Sequence, residues 1–293
     1  MFTAVRVLRV VALTVPLMLC AAAAAPVPVL APVRPLPDMS VGAGHLPAAL
    51  VPLAAPVAAA GGGRLPAAPV GAAAFPLPGP HSAGLDARRV ARSAALARVP
   101  AWRAQAGDAA SLLVVVNKQR PLDPVTYAPA DLRPADGVLL RTEAADAFER
   151  LSAAAEAAGA PVEARSGFRS YADQVRTHRR WVRTLGSASA EAQSARPGFS
   201  EHQTGLAVDV LPRGGACQDF GCFGATPQAA WLAKNAGRFG FVVRYQAGQQ
   251  AVTGYTDEPW HLRYVGVRAA ADVAASGARS LEEHIGLPAA PTY

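Results

Sequence analysis

The sequence predicts an α+β fold, in which a sheet and helices pack together without a regular parallel crossover pattern. Three observations carry this. Leu112–Val116, Leu206–Leu211 and Phe241–Tyr245 are short runs rich in β-branched and apolar residues, as strands are. Thr142–Ala157 repeats Ala145, Phe148, Leu151 and Ala155 at three- and four-residue steps, as an amphipathic helix does. Strands and helices then follow one another with no βαβ rhythm.

Regular patterning begins at Leu112–Val116, a buried strand closed by Asn117-Lys118. Residues 120–138 read as loop, because Pro121, Pro124, Pro129 and Pro134 interrupt any ladder. The helix over Thr142–Ala157 stops at Gly159. Val162–Ala164 is a short strand leading into Ser166-Gly167-Phe168-Arg169-Ser170, and a second helix runs from about Tyr171 through Trp181. Leu206–Leu211 is a strand, Gln228–Gly237 a helix, Phe241–Tyr245 a strand and Trp260–Tyr264 extended. Ser280–His284 begins a last short helix, and 288–293 is left as a tail.

Upstream of this region the composition changes. Arg6 and Arg9, the apolar stretch Val10–Cys20, the small residues Ala21–Ala25 and then Pro26 have the layout of a secretory signal peptide over 1–25. No charge stands between Arg9 and Arg34, so an uncleaved N-terminal anchor is the second reading and would be the one link to a membrane. Cys20 invites a lipid anchor, but Leu19 stands where such signals carry a small residue. Residues 26–108 read as an Ala/Pro/Gly-rich linker, with a short helix near 85–97 ending close to Pro100.

Once the leader is set aside, Cys217 and Cys222 are the remaining cysteines. Five residues apart among glycines, they suit a small loop disulfide in an oxidising compartment, or a pair of free thiols; the spacing does not suit a structural zinc site. The net charge of +7 fits either attraction to an anionic cell wall or solubility alone. There is no interleaved basic and aromatic stripe, so no nucleic-acid partner is expected, and the chain is expected to act as a monomer.

Of six histidines, His45 lies in the linker, His178 stands among arginines, and His81 and His284 have no chemistry beside them. His202 lies in SEHQTGLAVDV. Beyond the turn at Thr204-Gly205, Leu206, Val208 and Val210 point one way, while Ala207 and Asp209 point the other. A carboxylate on an otherwise apolar strand is costly unless it is paired or binds metal. Alone, this pair reads more readily as a strand-edge Asp in a salt bridge and a His at a loop tip. His261 in DEPWHLRYVG, with Glu258 three residues before it, adds a second imidazole and a spare carboxylate. Two imidazoles and one carboxylate are a catalytic zinc donor set that leaves a position open. In a flat strand Glu258 and His261 would face opposite ways, so a bend near Pro259 is required.

The blocks SGFRSYADQ, SEHQTGLAVDV and EPWHLRYVG resemble, in order, the signature blocks of VanY-type D-alanyl-D-alanine carboxypeptidases, within the wider group that includes lysostaphin and sonic hedgehog. The similarity runs from about Leu112 to Leu287. It implies a single catalytic domain over 109–287, with a small antiparallel sheet and flanking helices of the hedgehog/D,D-peptidase kind. It also implies Zn²⁺ held by His202, Asp209 and His261, Glu258 as general base, and Arg169 steadying the substrate carbonyl. Ser200 and Gln174 match positions near substrate, while Trp260 and Tyr264 are expected to wall the pocket and pack the core. The implied substrate is a peptidoglycan stem peptide. Removal of the terminal D-alanine is the leading expectation. L,D-carboxypeptidase action on tetrapeptide stems and a non-catalytic wall-binding zinc module are the alternatives.

Overall fold

The computed structural model describes residues 80–293, so the expected leader and most of the expected linker lie outside the described residues. In chain order the elements are α1 (Pro80–Gln105), β1 (Leu132–Ala135), β2 (Val138–Arg141), α2 (Thr142–Ala157), β3 (Val162–Ser166), α3 (Tyr171–Leu185), α4 (Ser187–Gln193), β4 (Ala207–Pro212), α5 (Phe220–Phe223), α6 (Pro227–Asn235), β5 (Phe241–Tyr245), α7 (Gln250–Thr253), β6 (Glu258–Tyr264), α8 (Val267–Ser276) and α9 (Leu281–Ile285). Tight 3₁₀ turns at Glu201–Thr204 and Ala236–Phe239 precede β4 and β5. The main sheet is antiparallel in the order β3-β4-β6-β5, and β1-β2 is a separate hairpin. The predicted α+β class is what forms.

Strand alternation gives the sheet two different faces. Val208, Val210, Leu262 and Tyr264 bury against Phe148 and Leu151 of α2 and Leu232 of α6. Fully burying side chains such as Phe148 and Leu151 contributes roughly 1.5–3 kcal/mol each. A second cluster joins Trp102 of α1, Val265, Val273 of α8 and Leu281 and Ile285 of α9.

Several expectations need correction. The helix expected over 85–97 spans Pro80–Gln105 and continues through Pro100. A proline inside a helix costs about 3 kcal/mol, but tertiary contacts hold this end. Trp102 is buried and donates through Nε1 to the Leu113 carbonyl, and Arg103 donates to the Ile285 carbonyl at 2.9 Å. The folded unit therefore begins within the segment read as linker.

Leu112–Val116 is buried as expected but joins no ladder. Leu112, Val114 and Val116 face the first cluster, while Leu113 and Val115 face the second. The carbonyls of Leu112 and Val114 accept from the Arg263 guanidinium rather than from a strand. The region read as loop contains β1, which turns into β2 through Asp136-Gly137, both at positive φ, a dipeptide that favours the tight hairpin turn. The last residues are docked: Ala290 N donates to Val252 O, and the Tyr293 ring packs edge-on against Phe199.

Candidate metal centre

The register between β4 and β6 places Asp209 directly opposite His261, on the face of the sheet turned away from the main core. Asp209 Oδ1 lies 3.0 Å from His261 Nδ1, and Asp209 Oδ2 lies 3.1 Å from His202 Nε2. His202 comes from the 3₁₀ turn before β4. Gly205 closes that turn at φ +69°, where a Cβ would meet Leu132 and Arg141. The turn thus folds His202 back over Asp209, as the sequence suggested. All three side chains are buried, and one donor atom from each lies within 4.8 Å of the others.

A hydrogen bond on the far side of the His202 ring fixes its tautomer. His202 Nδ1 stands 2.8 Å from the Gly167 carbonyl, which can only accept, so Nδ1 carries the hydrogen and the Nε2 lone pair faces the site. Gly167 has to be glycine, since a Cβ there would lie 2.5 Å from the Leu139 carbonyl oxygen. His261 turns Nε2 toward the Glu201 carboxylate at 3.5 Å and Nδ1 toward Asp209 and Glu258.

The bend required at Pro259 is present. Val243 pairs with Leu262, but Tyr245 pairs with Glu258, so Pro259, Trp260 and His261 together face the single residue Arg244. This irregularity brings Glu258 Oε2 to 3.5 Å from His261 Nδ1. Burial pushes the Glu258 carboxyl up to about 8, partly offset by His261. Burial lowers His261, but Asp209 and Glu201 outweigh it and raise the imidazole to about 10. Burial likewise works to raise Asp209, yet the two histidines hold it well below the usual carboxylate range.

Arg169 follows β3, where a bulge at Arg165 sets Ser166 opposite Asp209. Its guanidinium donates to Ser166 Oγ at 2.8 Å and to Gln174 Oε1 at 3.0 Å, and burial lowers its pKa against the pull of Asp209 and Glu258. Ser170 caps α3 by accepting from Asp173 N, which fixes the chain next to Arg169. Gln174 also donates to the Ala195 carbonyl, so it holds the arginine in place. Ser200 is buried directly before the Glu201–Thr204 turn. Trp260 stacks on Phe220 at 4.9 Å beside the loop closed by the Cys217–Cys222 disulfide. Tyr264 packs on Phe241 within the core, on the face opposite His261, so it lines no part of the metal centre.

The donor set fits a zinc ion. His202 Nε2 and His261 Nδ1 converge on the Asp209 carboxylate, and buried Asp209 Oδ1 has no hydrogen-bond partner. Lone pairs facing one another at 3.0 Å need a cation or a proton between them.

Sequence reasoning missed the group behind the site. Glu201 is buried, and Arg244 and Arg263 outweigh its burial to hold it well below the usual carboxylate range. Arg244 also pairs with Glu282 at 2.7 Å. The available signal was an arginine on each of two otherwise apolar strands, FVVRY and HLRYV.

Known proteins resemble this chain in sequence and in fold. The family VanY: D-alanyl-D-alanine carboxypeptidase matches residues 137–267. The bifunctional D-Ala-D-Ala dipeptidase and D-Ala-D-Ala carboxypeptidase VanXYC of Enterococcus gallinarum is 34% identical over 163 residues, 53% of this chain and 84% of that protein. The solved LdcB LD-carboxypeptidase is 36% identical, with a TM-score of 0.54 over 61% of this chain and 87% of that one. A mutant of the vancomycin resistance D,D-pentapeptidase VanY from the VanB-type cassette, in complex with Zn(II), is 32% identical, with a TM-score of 0.52 over 60% of this chain and 98% of that one. Two further curated carboxypeptidases are matched over 62% and 65% of their length. Three sequence blocks, one buried His-Asp-His centre and this similarity together place the chain in the VanY-type D-alanyl-D-alanine carboxypeptidase family.

Proposed function

We propose that this chain is an exported zinc-dependent D,D-carboxypeptidase that removes the terminal D-alanine from peptidoglycan stem peptides. The observation that carries the reading is the convergence of His202, Asp209 and His261 on one buried point, with Glu258 3.5 Å from a ligand nitrogen. When bound, zinc supplies a Lewis acid that polarises a carbonyl oxygen and acidifies water. Glu258, as carboxylate, takes the proton from the attacking water and delivers it to the leaving amine nitrogen of the terminal residue. Burial raises the Glu258 carboxyl to about 8, and a cation held beside it would favour the carboxylate form that acts as base. Arg169, locked by Ser166 and Gln174, presents a fixed guanidinium to the oxygen on which charge develops.

Export is supported by the signal-like N-terminus and by the Cys217–Cys222 bond, which persists in oxidising compartments. A second reading, L,D-carboxypeptidase action on tetrapeptide stems, is favoured by the 36% identity to the LdcB LD-carboxypeptidase. Digestion of purified muropeptides, followed by mass spectrometry, separates the two. Loss of one alanine from pentapeptide but not tetrapeptide stems is expected. Loss from tetrapeptides alone would move the assignment to the L,D activity.

A further inference from the structure

Glu201 sits between the metal centre and a buried ionic cluster. Its Oε1 alone satisfies two arginines, accepting from Arg244 Nε at 2.9 Å and from Arg263 Nη1 at 2.8 Å. Both guanidiniums are anchored elsewhere. Arg244 forks onto Glu282, which also accepts from Asn117 Nδ2, and Arg263 donates to the carbonyls of Leu112, Val114 and Tyr264. The side chains of Glu201, Arg244, Arg263 and Glu282 are all fully buried, and their formal charges sum to zero. One atom of the cluster is left over. Glu201 Oε2 has no hydrogen-bond partner, and 3.5 Å from it stands His261 Nε2, also without one. The Tyr245 ring lies 4.9 Å from the His261 ring and confines it.

We infer that Glu201 is a positioning residue for the metal ligand His261: its Oε2 takes the Nε2–H, which keeps Nδ1 unprotonated and aimed at the metal. A carboxylate can only accept, so the ring nitrogen facing it must donate, and the other nitrogen is then free to ligate. The arginines hold the carboxylate still from behind, so the ring is oriented by a fixed acceptor rather than by water. This role rests on the zinc reading proposed above.

Glu201→Gln inverts the logic while keeping the shape. The amide oxygen must still accept from the arginines, which leaves the NH₂ facing His261 Nε2. The ring is then driven to the tautomer with hydrogen on Nδ1, the wrong one for ligation. Glu282→Gln perturbs the same buried cluster without touching His261, and so reports what ionic disruption alone does.

The test is zinc affinity by competition with a chromophoric chelator, with the visible spectrum of the Co²⁺-substituted protein as a second readout. Glu201→Gln should bind zinc about 10–100-fold more weakly than wild type and alter the Co²⁺ spectrum. Glu282→Gln should stay within about twofold of wild type and keep its spectrum, whatever it loses in thermal stability. Should Glu201→Gln not fold, Glu201→Asp keeps the charge but shortens the reach, and the same direction of change is expected. Wild-type zinc affinity in the Glu201 variant, or equal weakening in both variants, would overturn the inference and leave the zinc reading intact. A wild-type protein that binds no zinc would overturn both.

Discussion

Asp209 of β4 and His261 of β6 are direct cross-strand partners, and Oδ1 of one stands 3.0 Å from Nδ1 of the other. Two of the three metal donors are thus spaced by the sheet ladder itself. The third, His202, is delivered by the turn that starts β4. A site built on paired strands is held more tightly than one built on loops. The side chains of Glu258 and Arg169 both enter the site at ladder irregularities, the first at Pro259–His261 and the second after Arg165.

Glu258 touches a ligand but is not needed to complete the donor set. Glu258→Gln should therefore retain about one zinc per chain while kcat falls by about 10²–10⁴. Metal analysis alongside turnover of a pentapeptide stem checks this. Near-normal turnover would remove Glu258 from the reaction.

Zinc binding should be coupled to proton release. Burial pushes the Glu258 carboxyl up to about 8, and Asp209 and Glu201 outweigh burial to raise the His261 imidazole to about 10, so both favour their protonated forms at neutral pH without metal. A dication held by His202, Asp209 and His261 would displace the His261 proton and favour the carboxylate form of nearby Glu258. Affinity should therefore rise with pH through neutrality, by about tenfold per unit for each proton displaced, and level off once both groups are already deprotonated. Calorimetry in buffers of different ionisation enthalpy counts the protons. An affinity independent of pH between 6 and 8 would contradict the coupling.

Gln174 accepts from the Arg169 guanidinium and holds it in place. Arg169→Ala should lower kcat/KM by about 10²–10³, and Gln174→Ala by about tenfold, because the second only loosens the guanidinium. Zinc content should be unchanged in both. Equal losses would mean that Gln174 meets substrate itself.

Trp102 tests whether α1 belongs to the fold. It is buried, donates to Leu113 O at 2.9 Å and packs edge-on against His284. Trp102→Ala should cost about 3–5 kcal/mol in urea unfolding. A loss of about 0.5 kcal/mol, as for an ordinary surface site, would make the helix an appendage.

Much of this was legible before the structure. The helix over Thr142–Ala157 and the strand Phe241–Tyr245 form with the boundaries their periodicity indicates. Asp209 projects from the apolar strand on the face opposite Val208 and Val210, as alternation requires. What was not legible depended on distant partners. The extended segment Leu112–Val116 looks like a strand locally, but Arg263 takes two of its carbonyls. Pro100 looks like a helix stop until Trp102 and Arg103 find α9 and its flanks. Glu201 drew no reading from the sequence, because only the convergence of β5 and β6 buries it between two arginines. The bend at Pro259 could be required by the chemistry but not seen, because it arises from pairing with β5.

A metal held by His202, Asp209 and His261 is expected to drive removal of a terminal D-alanine. The most direct measurement is alanine release from a pentapeptide stem by metal-depleted protein, before and after zinc is restored, for wild type and Asp209→Asn. The predicted result is no release without metal, recovery on adding zinc to wild type, and no recovery for Asp209→Asn at the same zinc concentration. Alanine release by the metal-depleted wild type, or wild-type release by Asp209→Asn, would contradict it.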